Sequence, residues 1–251
     1  MAARKPLIAG NWKMFGRRAA LGELAELGMR IEPAGGVDVV ICPPAPYVTA
    51  ACTVAAGGRV IVGAQDCSAF ADDGARTGEV SAAMLADAGA RYVIVGHSER
   101  RAFHGETNAQ VRQKAQSALA AGLSPIICVG ETLAERQAGK ATQVVAGQMR
   151  ESVPAANAEV VVAYEPVWAI GAQVTPSLAE IAEVHAVISR TLADGFGEAA
   201  RAVRILYGGS VNPANAAQIF AVEGVDGALV GRASLKAADF AAIILAHPAA
   251  R

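Results

Sequence analysis

The sequence Leu7-Ile8-Ala9-Gly10-Asn11-Trp12-Lys13 separates two architectures. Its first three residues are apolar without alternation, which is how a strand covered on both faces of a parallel sheet reads. A dinucleotide-binding open sheet would continue with G-x-G-x-x-G. Here a single glycine is followed by the polar residues Asn11 and Lys13.

Seven further runs have the same character: Val37 to Cys42, Val60-Ile61-Val62, Tyr92 to Val95, Pro125 to Val129, Val160 to Ala163, Val203 to Leu206, and Ala228 to Val230. Ala-rich stretches of helical period lie between them. Thr107-x-x-Gln110, Thr132-x-x-Glu135 and Ser177-x-x-Glu180 fit the capping box, in which two orphan donors at a helix start are satisfied reciprocally. Asn212-Pro213 reads as a cap followed by a proline that needs no amide hydrogen. After Ser177, the residues Ile181, Val184, Ile188 and Leu192 keep one apolar face, and Gly195 reads as its stop.

Eight βα units, spaced by roughly 22 to 44 residues, are what an α/β chain folded as a (β/α)8 barrel requires. A doubly wound open sheet is the competing topology. No Pro/Ser-rich linker or abrupt charge block interrupts the alternation, so residues 1–251 read as one domain.

Composition narrows the partners. With 22 Lys+Arg against 23 Asp+Glu, the net charge is −1, and 53% of the 251 residues are hydrophobic. Near-neutrality gives no whole-chain reason to expect nucleic acid or an anionic membrane as partner. Cys42, Cys52, Cys67 and Cys128 form no C-x-x-C pair and no metal-ligand spacing, so reduced thiols and no metal are expected. The N-terminus carries no apolar signal core and the apolar stretch Ala241 to Ala246 is too short to span a membrane, so a cytoplasmic location is expected.

Polar residues fall just after the runs: Asn11 and Lys13, Gln65, His97 with Ser98 and Glu99, Glu165, Ser210, and the glycine Gly231. In a parallel barrel these ends share one face, so residues distant in sequence converge. Taken singly each has an ordinary reading: Glu165 before Pro166 as a solvated loop charge, Lys13 as a surface charge, His97 as a satisfied core histidine. His97 is nevertheless the one histidine that directly follows a run; His185 falls on a predicted helix, His104 in a polar loop and His247 near the end. Jointly, a carboxylate, an imidazole and an ammonium on one rim make an acid/base site at neutral pH. No second carboxylate at glycosidase spacing stands out.

Glycine supplies the other half. Tyr207-Gly208-Gly209-Ser210-Val211-Asn212 and Leu229-Val230-Gly231-Arg232 let backbone amides approach an anion, with a helix beyond each. A plain tight turn is the alternative. Pro166-Val167-Trp168-Ala169-Ile170-Gly171 reads as a lid of exposed apolar residues that closes over a ligand, or else as a static packed loop.

These segments resemble the triosephosphate isomerase family. The likeness rests on Ala9 to Met14, Gly63 to Ser68, Thr77-Gly78-Glu79, Val95 to Arg101, Cys128 to Thr132, Ala163 to Gly171 and Tyr207 to Asn212. It implies interconversion of dihydroxyacetone phosphate and D-glyceraldehyde 3-phosphate through an enediolate, in glycolysis and gluconeogenesis, without cofactor or metal. By resemblance, Glu165 moves the carbon-bound proton, His97 polarises the carbonyl as a neutral imidazole, and Lys13 and Asn11 stabilise the negative oxygen. Ser98 would position Glu165 in the open state and Glu99 would pair with Lys13. Amides of Gly171, Ser210, Gly231 and Arg232 would hold phosphate, and Tyr207 would anchor the closed lid.

The resemblance also implies a homodimer in which Thr77 reaches a neighbouring subunit beside its Asn11 and Lys13, with Gln65 in the same contact. The chain departs from the family pattern at Phe15, Arg76, Ala172-Gln173 and Arg232. Gly231-Arg232 stands where the family has Gly-Gly, and a positive φ at Arg232, if required, would cost about 1 kcal/mol or more. These departures motivate an alternative, a barrel that binds phosphorylated metabolites without turnover. A Schiff-base aldolase on the same fold is a third reading.

Overall fold

A computed structural model describes residues 4–154, 159–170 and 175–250. Its strands are β1 (Leu7–Asn11), β2 (Asp38–Cys42), β3 (Val60–Ala64), β4 (Tyr92–Val95), β5 (Ser124–Val129), β6 (Val161–Tyr164), β7 (Arg204–Tyr207) and β8 (Gly227–Val230). They pair in sequence order and β8 returns to β1, closing a parallel barrel and excluding the open sheet. The register runs Leu7 to Asp38 and Asn11 to Cys42 on one side of β1, and Leu7 to Gly227 on the other.

Closure depends on one glycine. A Cβ at Gly227 would stand 1.9 Å from the Leu7 carbonyl oxygen, and its φ is +140°. Only glycine tolerates both at the seam.

The helices among the described residues are α1 (Leu21–Arg30), α2 (Val48–Ala55), α3 (Ala82–Asp87), α4 (Ser98–His104) and α5 (Asn108–Ala120). They continue as α6 (Leu133–Gln137), α7 (Ala141–Ser152), α8 (Leu178–Phe196), α9 (Ala216–Phe220) and α10 (Ala237–Leu245). The three expected capping boxes form at the starts of α5, α6 and α8, with both reciprocal bonds in place.

Two local expectations are corrected. Gly195 lies inside α8, and the helix ends at Gly197, whose φ of +57° accommodates the left-handed exit. His104 is the last residue of α4, not a loop residue. Asn212 caps the turn that leads into α9, as expected: its side chain accepts the amides of Ala214 and Asn215, its carbonyl accepts that of Ala216, and the regular helix follows from Ala216.

Alternate strand residues sort into two apolar clusters, as the pleat requires. Leu7, Ala9, Val40, Cys42, Ile94, Ile126, Cys128, Val161, Ala163, Leu206 and Leu229 fill the lumen. Their neighbours Ile8, Val39, Ile41, Val93, Ile127, Val162 and Ile205 pack outward against helix faces such as Leu24, Val111, Ile181 and Phe240. The barrel is thus a filled core, and ligand access is confined to its ends. No helix among the described residues is long and apolar enough to cross a membrane.

Candidate active site

Every polar residue expected at the rim lies at a C-terminal strand end. Asn11 closes β1, Lys13 follows two residues on, His97 stands between β4 and α4, Ser98 opens α4, and Glu165 follows β6 directly. Backbone bonds zip the strand ends together: the Glu165 amide donates to the Val129 carbonyl at 2.8 Å and the Gly208 amide to that of Tyr164 at 2.7 Å. Gly130 permits this closeness, because a Cβ there would fall 1.7 Å from the Glu165 carbonyl oxygen.

At the centre, His97 Nε2 lies 2.9 Å from Glu165 Oε1. The other carboxylate oxygen accepts the Ser98 amide at 2.8 Å, so Ser98 acts through its backbone. His97 caps α4, and its Nδ1 accepts the Glu99 amide at 3.2 Å. A nitrogen that accepts carries no proton, so the imidazole proton sits on Nε2, facing Glu165.

Both groups are buried. Burial works against the Glu165 charge, but His97, the Ser98 amide and Lys13 outweigh it and hold the carboxyl below its usual range. Burial likewise opposes an imidazolium at His97, while the adjacent carboxylate pushes its pKa up. Beneath them Cys128 is fully buried, and burial together with Glu165 pushes its thiol well up, so it contributes a neutral wall.

Lys13 has a φ of +52°, the only positive value at a non-glycine among the described residues. Its amide donates to Asn11 Oδ1 at 2.9 Å, its carbonyl accepts Gln65 Nε2 at 2.8 Å, and its ammonium pairs with Glu99. Gln65 Nε2 also donates to the Cys42 carbonyl at 2.9 Å, tying the strained residue to the end of β2. An unfavourable backbone conformation held by several bonds marks a functional position. Asn11, expected as a substrate contact, therefore also fixes the Lys13 backbone.

A cavity of about 890 Å³ joins these groups to the glycine segments. Asn11, Lys13, His97, Glu99 and Glu165 line one part, and Gly209, Ser210, Gly231 and Arg232 another. Gly231 packs beside the Lys13 stem, with its Cβ position 3.6 Å from Lys13 Cε. Arg232 takes no positive φ, so the expected strain there is absent.

The lid segment is only partly as expected. Val167–Ala169 forms a 3-10 turn, Val167, Trp168 and Ile170 are half-buried, and Pro166 and Ala169 are buried, so its apolar residues are not exposed. Gly171 and Ala172-Gln173 lie outside the described residues. Tyr207 is buried, and among the described residues its hydroxyl has no hydrogen-bond partner.

Glu131 was missed as a functional residue. It is completely buried, accepts the Trp168 indole at 2.8 Å and the Tyr164 hydroxyl at 3.1 Å, and its carbonyl accepts the Val167 amide. The signal was present, since Glu131 is a polar residue two positions past the fifth apolar run.

A second cavity of about 840 Å³ shares Asn11, Lys13, His97 and Glu99 with the first and is walled by Gln65, Phe70 and Phe103. Thr77 is exposed on the loop after β3, where Arg76 stacks 3.8 Å over the Phe70 ring. Met14 and Phe103 stand out from the surface at 94% and 81% exposure.

The chain's likeness to known proteins agrees with this geometry. Residues 6–247 match the family described as triosephosphate isomerase. A triosephosphate isomerase from Afipia carboxidovorans is 57% identical over 247 residues, covering 97% of this chain and 98% of the relative. One from Ruegeria pomeroyi is 57% identical over 246 residues, covering 97% of each. The crystal structure of triosephosphate isomerase from Bartonella henselae superposes with a TM-score of 0.90 at 44% identity, covering 96% and 98% of the two chains.

Proposed function

Because the chain belongs to the triosephosphate isomerase family, we propose that its interconversion of dihydroxyacetone phosphate and D-glyceraldehyde 3-phosphate is carried by Glu165, His97, Lys13 and Asn11. The reaction itself, an isomerase step of glycolysis, follows from the family, and the same step run backwards serves gluconeogenesis. Glu165 takes a proton from the carbon beside the carbonyl and returns it to the neighbouring carbon. His97, with its proton on Nε2, polarises the carbonyl and passes protons between the two oxygens of the enediolate. Lys13 and Asn11 offset the negative charge that develops. Each step is a proton transfer between groups already within reach of one cavity.

Ser98 holds the carboxylate through its amide until substrate displaces it, and Glu99 anchors the Lys13 ammonium. Amides of Gly171, Ser210, Gly231 and Arg232 receive the phosphate. The segment Pro166 to Gly171 closes over the ligand, and the Tyr207 hydroxyl, unpartnered among the described residues, anchors it. Excluding water strengthens the electrostatics and protects the enediolate from losing phosphate.

The whole chain, 1–251, reads as one barrel domain acting in the cytoplasm. Its other partner is a second copy, with Thr77 entering the 840 Å³ cavity beside Asn11 and Lys13 of its neighbour. Exposed Met14 and Phe103 at that rim support the contact. Thr77→Arg should shift the protein to monomers in sedimentation velocity; an unchanged dimer would refute this contact.

The single observation that carries the catalytic reading is the 2.9 Å His97–Glu165 pair, buried at the mouth that Lys13 shares. A binder without turnover has no use for a buried acid/base pair. A coupled assay on purified protein tests the reading directly. Turnover of both triose phosphates is expected, and phosphate binding without turnover would replace it with the binding barrel.

A further inference from the structure

Three lysine and arginine residues line the 890 Å³ cavity: Lys13, Arg232 and Lys236. Lys13 is committed to Glu99, and Lys236 lies 2.8 Å from Glu23, away from the cavity. Arg232 is exposed and, among the described residues, has neither a hydrogen bond nor an ion pair, although Asp239 lines the same mouth. An unpaired guanidinium therefore stands one residue beyond Gly231, whose backbone packs on the Lys13 stem. It enters that position without backbone strain.

Resting on the functional reading above, we propose that the Arg232 side chain is a specificity-determining contact for the substrate's phosphate dianion. A guanidinium presents a planar fork that matches two phosphate oxygens, whereas glycine amides alone give single, fixed donors. No carboxylate among the described residues need be displaced, because none of them pairs with the side chain. Arg232 would thus raise discrimination for a doubly charged terminal group over a singly charged or neutral one.

The test compares Arg232→Gln with Arg190→Gln, which removes the same charge from the exposed face of α8. Titration with inorganic phosphate and the KM for D-glyceraldehyde 3-phosphate are read at two salt concentrations. Arg232→Gln should weaken phosphate binding and raise KM by about fivefold each, with a flatter salt dependence, and Arg190→Gln should change neither. Equal phosphate affinity in the two variants would overturn the proposal. The phosphate titration needs no turnover, so an inactive parent protein would overturn the isomerase reading and leave the Arg232 question answerable.

Discussion

The Gln65 side-chain amide donates to the Lys13 carbonyl at 2.8 Å, bracing the residue whose φ is +52°. A conformation of that kind costs about 1–3 kcal/mol and persists only where its surroundings hold it. Gln65→Met keeps the volume and removes both donated bonds. The expected result is a ten- to hundredfold loss of kcat/KM with a Tm drop of a few degrees, since small misplacements of a catalytic group are costly. Unchanged kinetics would show that the Lys13 backbone keeps its conformation without Gln65.

Glu165→Asp draws the carboxylate back by one methylene from His97 and the substrate carbon. Turnover should fall by about two to four orders of magnitude, as it should for His97→Gln. Circular dichroism should show both folded, because neither change alters the lumen packing. Near-parental kcat in either variant would remove that residue from the mechanism.

Gly130→Ala tests the backbone route to the site. The new Cβ would fall 1.7 Å from the Glu165 carbonyl oxygen, so β5 and β6 must part. A loss of about 2 kcal/mol or more in unfolding free energy, read from denaturant titration, is expected, together with loss of activity. A stable, active variant would mean that the Glu165 backbone moves without consequence.

His185 governs a pH effect on stability. It is buried on α8, its Nδ1 lies 2.9 Å from the Gly224 carbonyl oxygen, and burial pushes its pKa down to about 4. The unfolded chain takes up this proton near pH 6.5, so it binds more protons than the folded chain between pH 6.5 and 4. Stability is therefore full above pH 6.5 and falls as the pH drops through that window, by about 3 kcal/mol from this group. In His185→Gln the fall measured by urea midpoint across the window should be smaller; an identical pH profile would exclude His185 as its source.

Much of the site was legible along the chain because a parallel barrel puts every strand's C-terminal end on one face. Asn11, Lys13, His97, Ser98, Glu99, Glu165, Ser210 and Gly231 each follow an apolar run, and position alone selects them. Glu131 obeys the same rule and escaped because its partners, Tyr164 and Trp168, are remote from it in sequence. The exit of α8 differs for a local reason: Gly197 rather than Gly195 takes the positive φ.

Hydrophobic run length, capping boxes and the polar residues after each run determined the strands, the starts of α5, α6 and α8 and most members of the rim. These signals are local, carried by side-chain period and by backbone donors a few residues apart. Only the tertiary structure decided which nitrogen of His97 holds the proton, that Lys13 is strained and braced by Gln65, and that Arg232 stands unstrained and, among the described residues, unpaired. Such properties arise where groups far apart in the chain meet in a buried space, and there distance and desolvation, not order along the sequence, set the energies.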